Sequence, residues 1–308
     1  MKLKKPKHIN KGDTIAIAAP SSSFNIENFK NGVSVLEEMG FIVKYSESMF
    51  NESWSQPEFN QERGEQLNKM FADKDVKAIL CAKGGYGTLE ILPYLDKTII
   101  RKNPKIFVGY SDISSLLLYL QNIAKFVVFH GPVVSGEMYK GMNPMTIDCM
   151  TRLLTTPLAL GSVKFPKIKV LNPGKATGVL VGGNISVIIE TLGTDYEIDT
   201  TDKILFLEDI GEESESINNF LTKLKQLGKL KNIKGLILGK MVGCFDEETD
   251  FKDIINKIFS EYNIPIISKF PSGHTRDRED LHMTLPFGIS VTMDTEALSI
   301  IFNESAVS

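Results

Sequence analysis

Four short segments of the 308-residue chain hold residue types that could do chemistry. In Val108-Gly109-Tyr110-Ser111-Asp112 an apolar run ends in a glycine and a serine opens the next stretch, the outline of a strand-to-helix elbow that exposes a hydroxyl. The helix start and the following backbone N–H could stabilise an oxyanion there. Ile113 replaces the second glycine of GxSxG, however, and a serine at such a place also fits a plain N-cap. Ala82-Lys83-Gly84-Gly85-Tyr86-Gly87 follows another apolar run, and its glycines can turn N–H groups towards a carbonyl oxygen or an anion, or simply form a tight turn. The loop is neither GxGxxG nor GxxxxGKS, which leaves nucleotide binding with weak support.

The third segment, Ile204 to Asp209, ends an apolar run with Glu208-Asp209. One of these carboxylates could orient a histidine, or both could cap the turn into Gly211-Glu212-Glu213. The fourth is Ser272-Gly273-His274-Thr275, which leads into the polar loop Arg276-Asp277-Arg278-Glu279-Asp280. Of the four histidines, His8 lies in a basic tail, His130 in a His-Gly-Pro turn and His282 near the start of a strand; local hydrogen bonding suits each of these three, leaving His274 as the candidate base. Ser111, Glu208 and His274 thus stand in the chain order nucleophile, acid, base found in α/β-hydrolases. Such a set transfers acyl groups: His274 takes the proton of Ser111, and Glu208 fixes the imidazole tautomer and stabilises the imidazolium. No metal or cofactor is needed for this. A rival reading makes the chain a non-catalytic binder that holds an anion at the glycine loop and the Ser111 helix start. A pure binder has no need of the Glu208 and His274 pair.

Elements that could position these groups recur along the chain. Thr14 to Pro20 reads as a buried strand, Ile26 to Met39 as a helix stopped by Gly40, and Phe41-Ile42-Val43 as the next strand. Strands at Val76 to Cys81 and Lys105 to Val108 follow, with helices near Glu62 to Phe71, Leu89 to Leu95 and Ile113 to Ile123. This alternation predicts an α/β fold with a parallel sheet covered on both faces, whose chemistry gathers at the carboxyl ends of the strands. After a helix near Met145 to Leu154, a stretch rich in Pro, Lys and small residues reads as a domain link. The expected division is 1–160 for an N-terminal α/β domain carrying the nucleophile, 161–174 for the link and 175–308 for a β-rich mixed domain carrying Glu208 and His274. In the second domain, strands are expected at Thr177 to Val181, Ile204 to Leu207, Gly235 to Leu238 and Ile264 to Ile267, helices near Ser216 to Leu227 and Phe251 to Phe259, and a closing antiparallel pair at Ile289 to Met293 and Ala297 to Ile301.

Composition narrows the class. With 42% hydrophobic and 24% charged residues the chain is a folded globular protein. Lys and Arg total 35 against 38 Asp and Glu, so no global basic field speaks for a nucleic-acid partner. Cys81, Cys149 and Cys244 form no CxxC pair and are expected as small buried residues. No run approaches a membrane span, and the charged start lacks the apolar stretch of a signal peptide, so a cytoplasmic location is expected.

Several motifs, taken in order, resemble the LD-carboxypeptidase family, which includes the microcin C immunity peptidases. They are Gly12-Asp13 with Ala19-Pro20-Ser21, Gly84-Gly85-Tyr86-Gly87, Gly109-Tyr110-Ser111-Asp112, His130-Gly131-Pro132, Gly182-Gly183-Asn184, Leu207-Glu208-Asp209, Gly273-His274 and Thr284-Leu285-Pro286-Phe287-Gly288. The resemblance spans nearly the whole chain. It implies a serine peptidase with the triad Ser111, Glu208 and His274, an oxyanion hole from the N–H groups of Gly85 and Asp112, and an N-terminal domain akin to class I glutamine amidotransferases. It also implies a homodimer, no metal or cofactor, and cleavage between an L-centre diamino acid and the terminal D-alanine of murein tetrapeptides in cell-wall recycling. Hydrolysis of aminoacyl nucleotide amides, the immunity reaction, is the alternative; the chain's length favours the carboxypeptidase. Lys83 stands where the family commonly has arginine, which keeps the charge but loses the bidentate fork. A substrate carboxylate needs a cation, and Lys83, Arg276 or Arg278 could supply it.

Overall fold

The computed structural model describes residues 3–245, 248–277 and 280–308. Strands β1 (Thr14–Ala18), β2 (Ile42–Lys44), β3 (Val76–Cys81), β4 (Ile106–Gly109) and β5 (Val128–His130) come from the apolar runs of the first half, with helices between them. β4 and β5 are buried at every position and β3 at all but Lys77, as strands covered on both faces must be. The helix Ile26–Glu38 shows how a covering element forms: Asn25 caps it by accepting from the Asn28 N–H, and Phe29, Gly32, Val33 and Leu36 share the buried face at intervals of three and four.

The second half adds β6 (Gly161–Lys164), β7 (Lys169–Asn172), β8 (Lys175–Asn184), β9 (Lys203–Ile210), β10 (Gly235–Val242), β11 (Ile266–Ser268), β12 (Leu285–Phe287), β13 (Ser290–Asp294) and β14 (Ser299–Phe302). The first sheet has the order β12-β5-β4-β3-β1-β2, parallel except where β12 meets β5. The second runs β6-β14-β13-β8-β9-β10-β11-β7, with parallel pairing from β8 to β11 and antiparallel pairing at both flanks. The expected α/β class, mixed second sheet and closing β13–β14 pair are all present.

Two features depart from the sequence reading. The stretch 161–174 holds β6 and β7, the two edge strands of the second sheet, where a link was expected. Chain beyond residue 175 also returns to the first sheet: β12 pairs antiparallel with β5, Pro286 opposite Phe129. β12 covers the outer edge of β5, and its proline is tolerated because β12 is itself an edge. The carboxyl end comes back too, Ser308 exchanging backbone hydrogen bonds with Pro6 and His8. The three cysteines are free and buried, as expected. Among the described residues no helix is long and apolar enough to cross a membrane.

The helix Ser114–Tyr119 packs against β8 and the helix Ile185–Glu190 and so joins the two halves. At that seam the Asn184 N–H donates to Ser114 Oγ at 3.0 Å. The carboxyl ends of β3 and β4 from one sheet and of β9 from the other are thereby brought to one place.

Candidate active site

Ser111 follows β4 through Tyr110, whose backbone is fully extended. The serine itself has φ of 63°, in the left-handed region, a conformation costing a non-glycine residue on the order of 1–3 kcal/mol. That sharp turn lifts Oγ out of the sheet, 3.1 Å from His274 Nε2. His274 Nδ1 lies 2.7 Å from Glu208 Oε2, and the same carboxylate oxygen accepts the His274 backbone N–H at 3.2 Å. Glu208 thus fixes both the ring and the main chain of the histidine. Tyr110, not Ser111, stands at the N-cap position of the short helical turn that follows.

Burial and charge compete in this pair. Burial penalises the Glu208 carboxylate, which is wholly enclosed, but the adjacent His274 charge and hydrogen bond outweigh it and hold its pKa below the ordinary value. For His274, burial acts to lower the pKa, while the Glu208 charge and hydrogen bond raise it by more. The imidazolium is therefore favoured over that of a free histidine. In the neutral ring, with Nδ1–H given to Glu208, Nε2 would face Ser111 as an acceptor, the arrangement a general base requires.

The glycine loop comes close to the serine. A Cβ on Gly84 would stand 2.8 Å from Ser111 Cβ and 3.2 Å from Oγ, so only glycine lets this backbone approach. Gly85, with φ of 118°, packs so closely against Ser22 that a Cβ there would collide with the Ser22 side chain. Ser22 Oγ accepts the Tyr86 N–H at 2.9 Å, and Ser21 Oγ donates to Asp112 Oδ2 at 2.5 Å. Asp112 Oδ2 also accepts from Thr88 N and Oγ1 at 3.0 and 2.6 Å, which ties the carboxyl away from the hydroxyl of Ser111. Burial raises the Asp112 pKa against these hydrogen bonds. The Ser21-Ser22-Ser23 stretch is thus a brace for the loop. Lys83 is exposed beside it and donates to Ser23 O at 3.3 Å.

The Ser111 elbow, the His274 imidazole and the braced glycine loop form an arrangement that suits acyl transfer. Residues 15–131 match the LD-carboxypeptidase N-terminal domain, and residues 177–293 the LD-carboxypeptidase C-terminal domain. The chain belongs to the LD-carboxypeptidase family. It is 36% identical over 296 residues to a probable murein peptide carboxypeptidase of Bacillus subtilis, covering 94% of this chain and 92% of that one. The muramoyltetrapeptide carboxypeptidase structure from Oxalobacter formigenes superposes with a TM-score of 0.82 at 28% identity, covering 94% of this chain and 99% of its own. The microcin C7 self-immunity protein MccF of Escherichia coli is 25% identical over 333 aligned residues, covering 96% and 95% of the two chains. Membership makes this protein an enzyme of the carboxypeptidase type.

In this LD-carboxypeptidase the two carboxylates of β9 have parted roles. Glu208 faces His274, while Asp209 accepts from Asn184 Nδ2 at 3.0 Å and from the Ser186 N–H at 2.9 Å, tying down the start of the helix Ile185–Glu190. Behind His274 lies an aromatic cluster that the sequence reading missed. Tyr110 donates to Glu137 Oε1 at 2.5 Å, and its ring meets His274 at 4.9 Å and His282 at 4.6 Å. Local hydrogen bonding was the expectation for His130 and His282. Instead both are buried, and no ring nitrogen of either has a hydrogen-bond partner among the described residues. Burial pushes His130 down to about 4 and His282 well below its ordinary value, so both are neutral rings at pH 7 and pack as aromatics. His130-Gly131-Pro132 was a visible motif, but nothing in it signals that the ring packs against Phe206 and Phe287. Arg276 borders a neighbouring cavity, and Arg278 lies outside the described residues.

Proposed function

We propose that the protein is a murein peptide LD-carboxypeptidase that cuts the bond between an L-centre diamino acid and a terminal D-alanine, with Ser111 as nucleophile, His274 as base and Glu208 as the group that orients it. The observation that carries this is the Glu208–His274–Ser111 chain of contacts, 2.7 and 3.1 Å long, beside the glycine loop. Its support in kinship is the Bacillus subtilis relative described above. In this reading the N-terminal unit brings the nucleophile, the C-terminal unit brings Glu208 and His274, and the protein works in the cytoplasm as a homodimer.

His274 Nε2 takes the Ser111 proton as Oγ attacks the carbonyl of the L-centre. The oxyanion receives hydrogen bonds from the N–H groups of Gly85 and Asp112, whose positions the serine brace maintains. Collapse expels the D-alanine amine, protonated by His274, and water then attacks the ester with His274 again as base. Lys83 is the cation for the terminal carboxylate, because it adjoins Gly84, the backbone nearest Ser111.

Kinship with the self-immunity protein gives a second reading, hydrolysis of an aminoacyl nucleotide amide. Mass spectrometry after separate incubation with a murein tetrapeptide and an aminoacyl sulfamoyl adenosine separates the two. Loss of D-alanine from the tetrapeptide is expected; cleavage of the adenosine compound alone would favour the second reading, and cleavage of neither would remove both.

The base must be neutral to act, so kcat/KM is expected to rise with pH through the His274 pKa. Burial lowers that pKa but Glu208 raises it by more, which places the midpoint above the ordinary value of about 6.5. A profile from pH 5 to 9 checks this, and a flat one would contradict it. Gly84→Ala is expected to reduce kcat by about 100-fold, since the new methyl must displace either the loop or Ser111. Unaltered kcat in that variant would mean that the loop does not have to approach the serine.

A further inference from the structure

The imidazole of His274 has a neighbour besides Glu208 and Ser111: the ring of Tyr110, the residue before the candidate nucleophile, meets it at 4.9 Å with 63° between the planes. Tyr110 is buried, and its hydroxyl finds the polar partner that a buried phenol needs by donating to Glu137 Oε1 at 2.5 Å. Glu137 is pinned in turn, its Oε2 accepting the Val133 N–H at 3.1 Å. The next two residues tie this segment to the end of β3: the Val134 N–H donates to Cys81 O at 3.1 Å and the Ser135 N–H to Ala82 O at 2.8 Å. Elements of the first sheet thus hold Tyr110 against the imidazole, while Glu208 grips it from the second.

Charge follows the same path. Burial opposes the imidazolium of His274, and three carboxylates among the described residues favour it: Glu208 and Asp209 from β9, and Glu137 from the segment after β5. His130 of β5 and His282 ahead of β12 are neutral rings at pH 7. Lys240 of β10 stands in the field of Glu137 and Glu208 and is paired with Asp280 at 3.4 Å. Tyr110 is no rival to His274 as a base, because burial and the Glu137 charge push its phenol well above the ordinary value.

We propose that Tyr110 and Glu137 are positioning residues for the base: the Tyr110 ring, tethered by Glu137, keeps the imidazole in line with Ser111, and the Glu137 carboxylate backs the positive charge that His274 takes up during acyl transfer. The proposal rests on the peptidase reading, which makes His274 the base, and adds to it a phenol and a carboxylate outside the expected triad. A base that takes a proton from Ser111 and passes it to a leaving amine must stay aligned through both steps, and Glu208 binds only the Nδ1 edge of the ring.

Two replacements separate the tether from the charge. In Tyr110→Phe the ring and the Glu137 charge remain and the tether goes; kcat is expected to fall about tenfold while KM and the acid limb of the kcat/KM profile stay in place. In Glu137→Gln the amide oxygen can accept the Val133 N–H and the NH₂ can donate to the Tyr110 oxygen, so the tether stays and the charge goes. There the acid limb is expected to move to lower pH with KM unchanged, a displacement that a purely structural role would not cause. An unchanged kcat in Tyr110→Phe, or an unmoved limb in Glu137→Gln, overturns the proposal. NMR titration of His274, its signals assigned by their loss in His274→Gln, reads the same charge without turnover. Its midpoint is expected to fall from wild type to Glu137→Gln, and equal midpoints overturn the proposal. A wild type that releases no D-alanine removes the peptidase reading, and the NMR midpoints then decide the part of Glu137 by themselves.

Discussion

Ser111→Ala is expected to lower kcat by at least about 10³-fold while the protein remains folded. The hydroxyl is the atom that meets His274 Nε2, and no other nucleophile takes its place: Ser21 is engaged with Asp112, and the buried thiol of Cys81 is pushed well above its ordinary pKa by burial. What survives is the rate that the oxyanion donors and substrate positioning give to an attacking water. The backbone adds a second readout. Alanine inherits the φ of 63°, whereas Ser111→Gly releases it, so the glycine variant should be as inactive but more stable than the alanine variant by about 1 kcal/mol. Thermal unfolding of the two checks this; equal melting temperatures would mean that the elbow holds no strain.

Glu208→Gln should reduce kcat by about 10²–10³-fold with a smaller effect on KM. The oxygen facing the imidazole also accepts the His274 backbone N–H, so the glutamine amide is held with its own oxygen in that place. The tautomer is therefore kept, and what is lost is the negative charge that stabilises the imidazolium. The same loss removes the force that raises the His274 pKa, and the acid limb of the kcat/KM profile should move to lower pH. The amide NH₂ would take the site of Oε1, which has no partner among the described residues, leaving a buried donor unsatisfied at a cost of about 1–3 kcal/mol. A pure KM effect with an unmoved profile would make Glu208 a substrate ligand instead.

How much of this could be read from sequence depended on whether the signal was local. β1, β3 and β4 announce themselves because strands covered on both faces must be continuously apolar, and the helix Ile26–Glu38 shows its cap and its three-and-four spacing. The candidate nucleophile, acid and base were legible for the same reason, each being a polar residue set where an apolar run gives out. β6 alternates half-buried and exposed positions and β7 has no fully buried one, both amid lysine and proline, as edge strands do, and such composition imitates a link. β12 is three residues with a central proline and pairs with residues more than 150 positions earlier, a contact no local pattern encodes. His130 and His282 misled because histidine usually seeks a hydrogen bond; here His130 packs among Tyr110, Phe206 and Phe287, and His282 against Tyr110 and His130, and burial keeps both neutral. The cations divided only once the chain was folded, Lys83 going to the glycine loop and Arg276 to the neighbouring cavity.

Release of the terminal D-alanine of a murein peptide is proposed to run through Ser111, activated by His274 and Glu208. Its most direct test is the initial rate of D-alanine release from a murein tetrapeptide by wild type and by Ser111→Ala at equal concentration and equal folded content. Wild type should release D-alanine, and the variant should do so at a rate at least about 10³-fold lower. Comparable release by the two would contradict it.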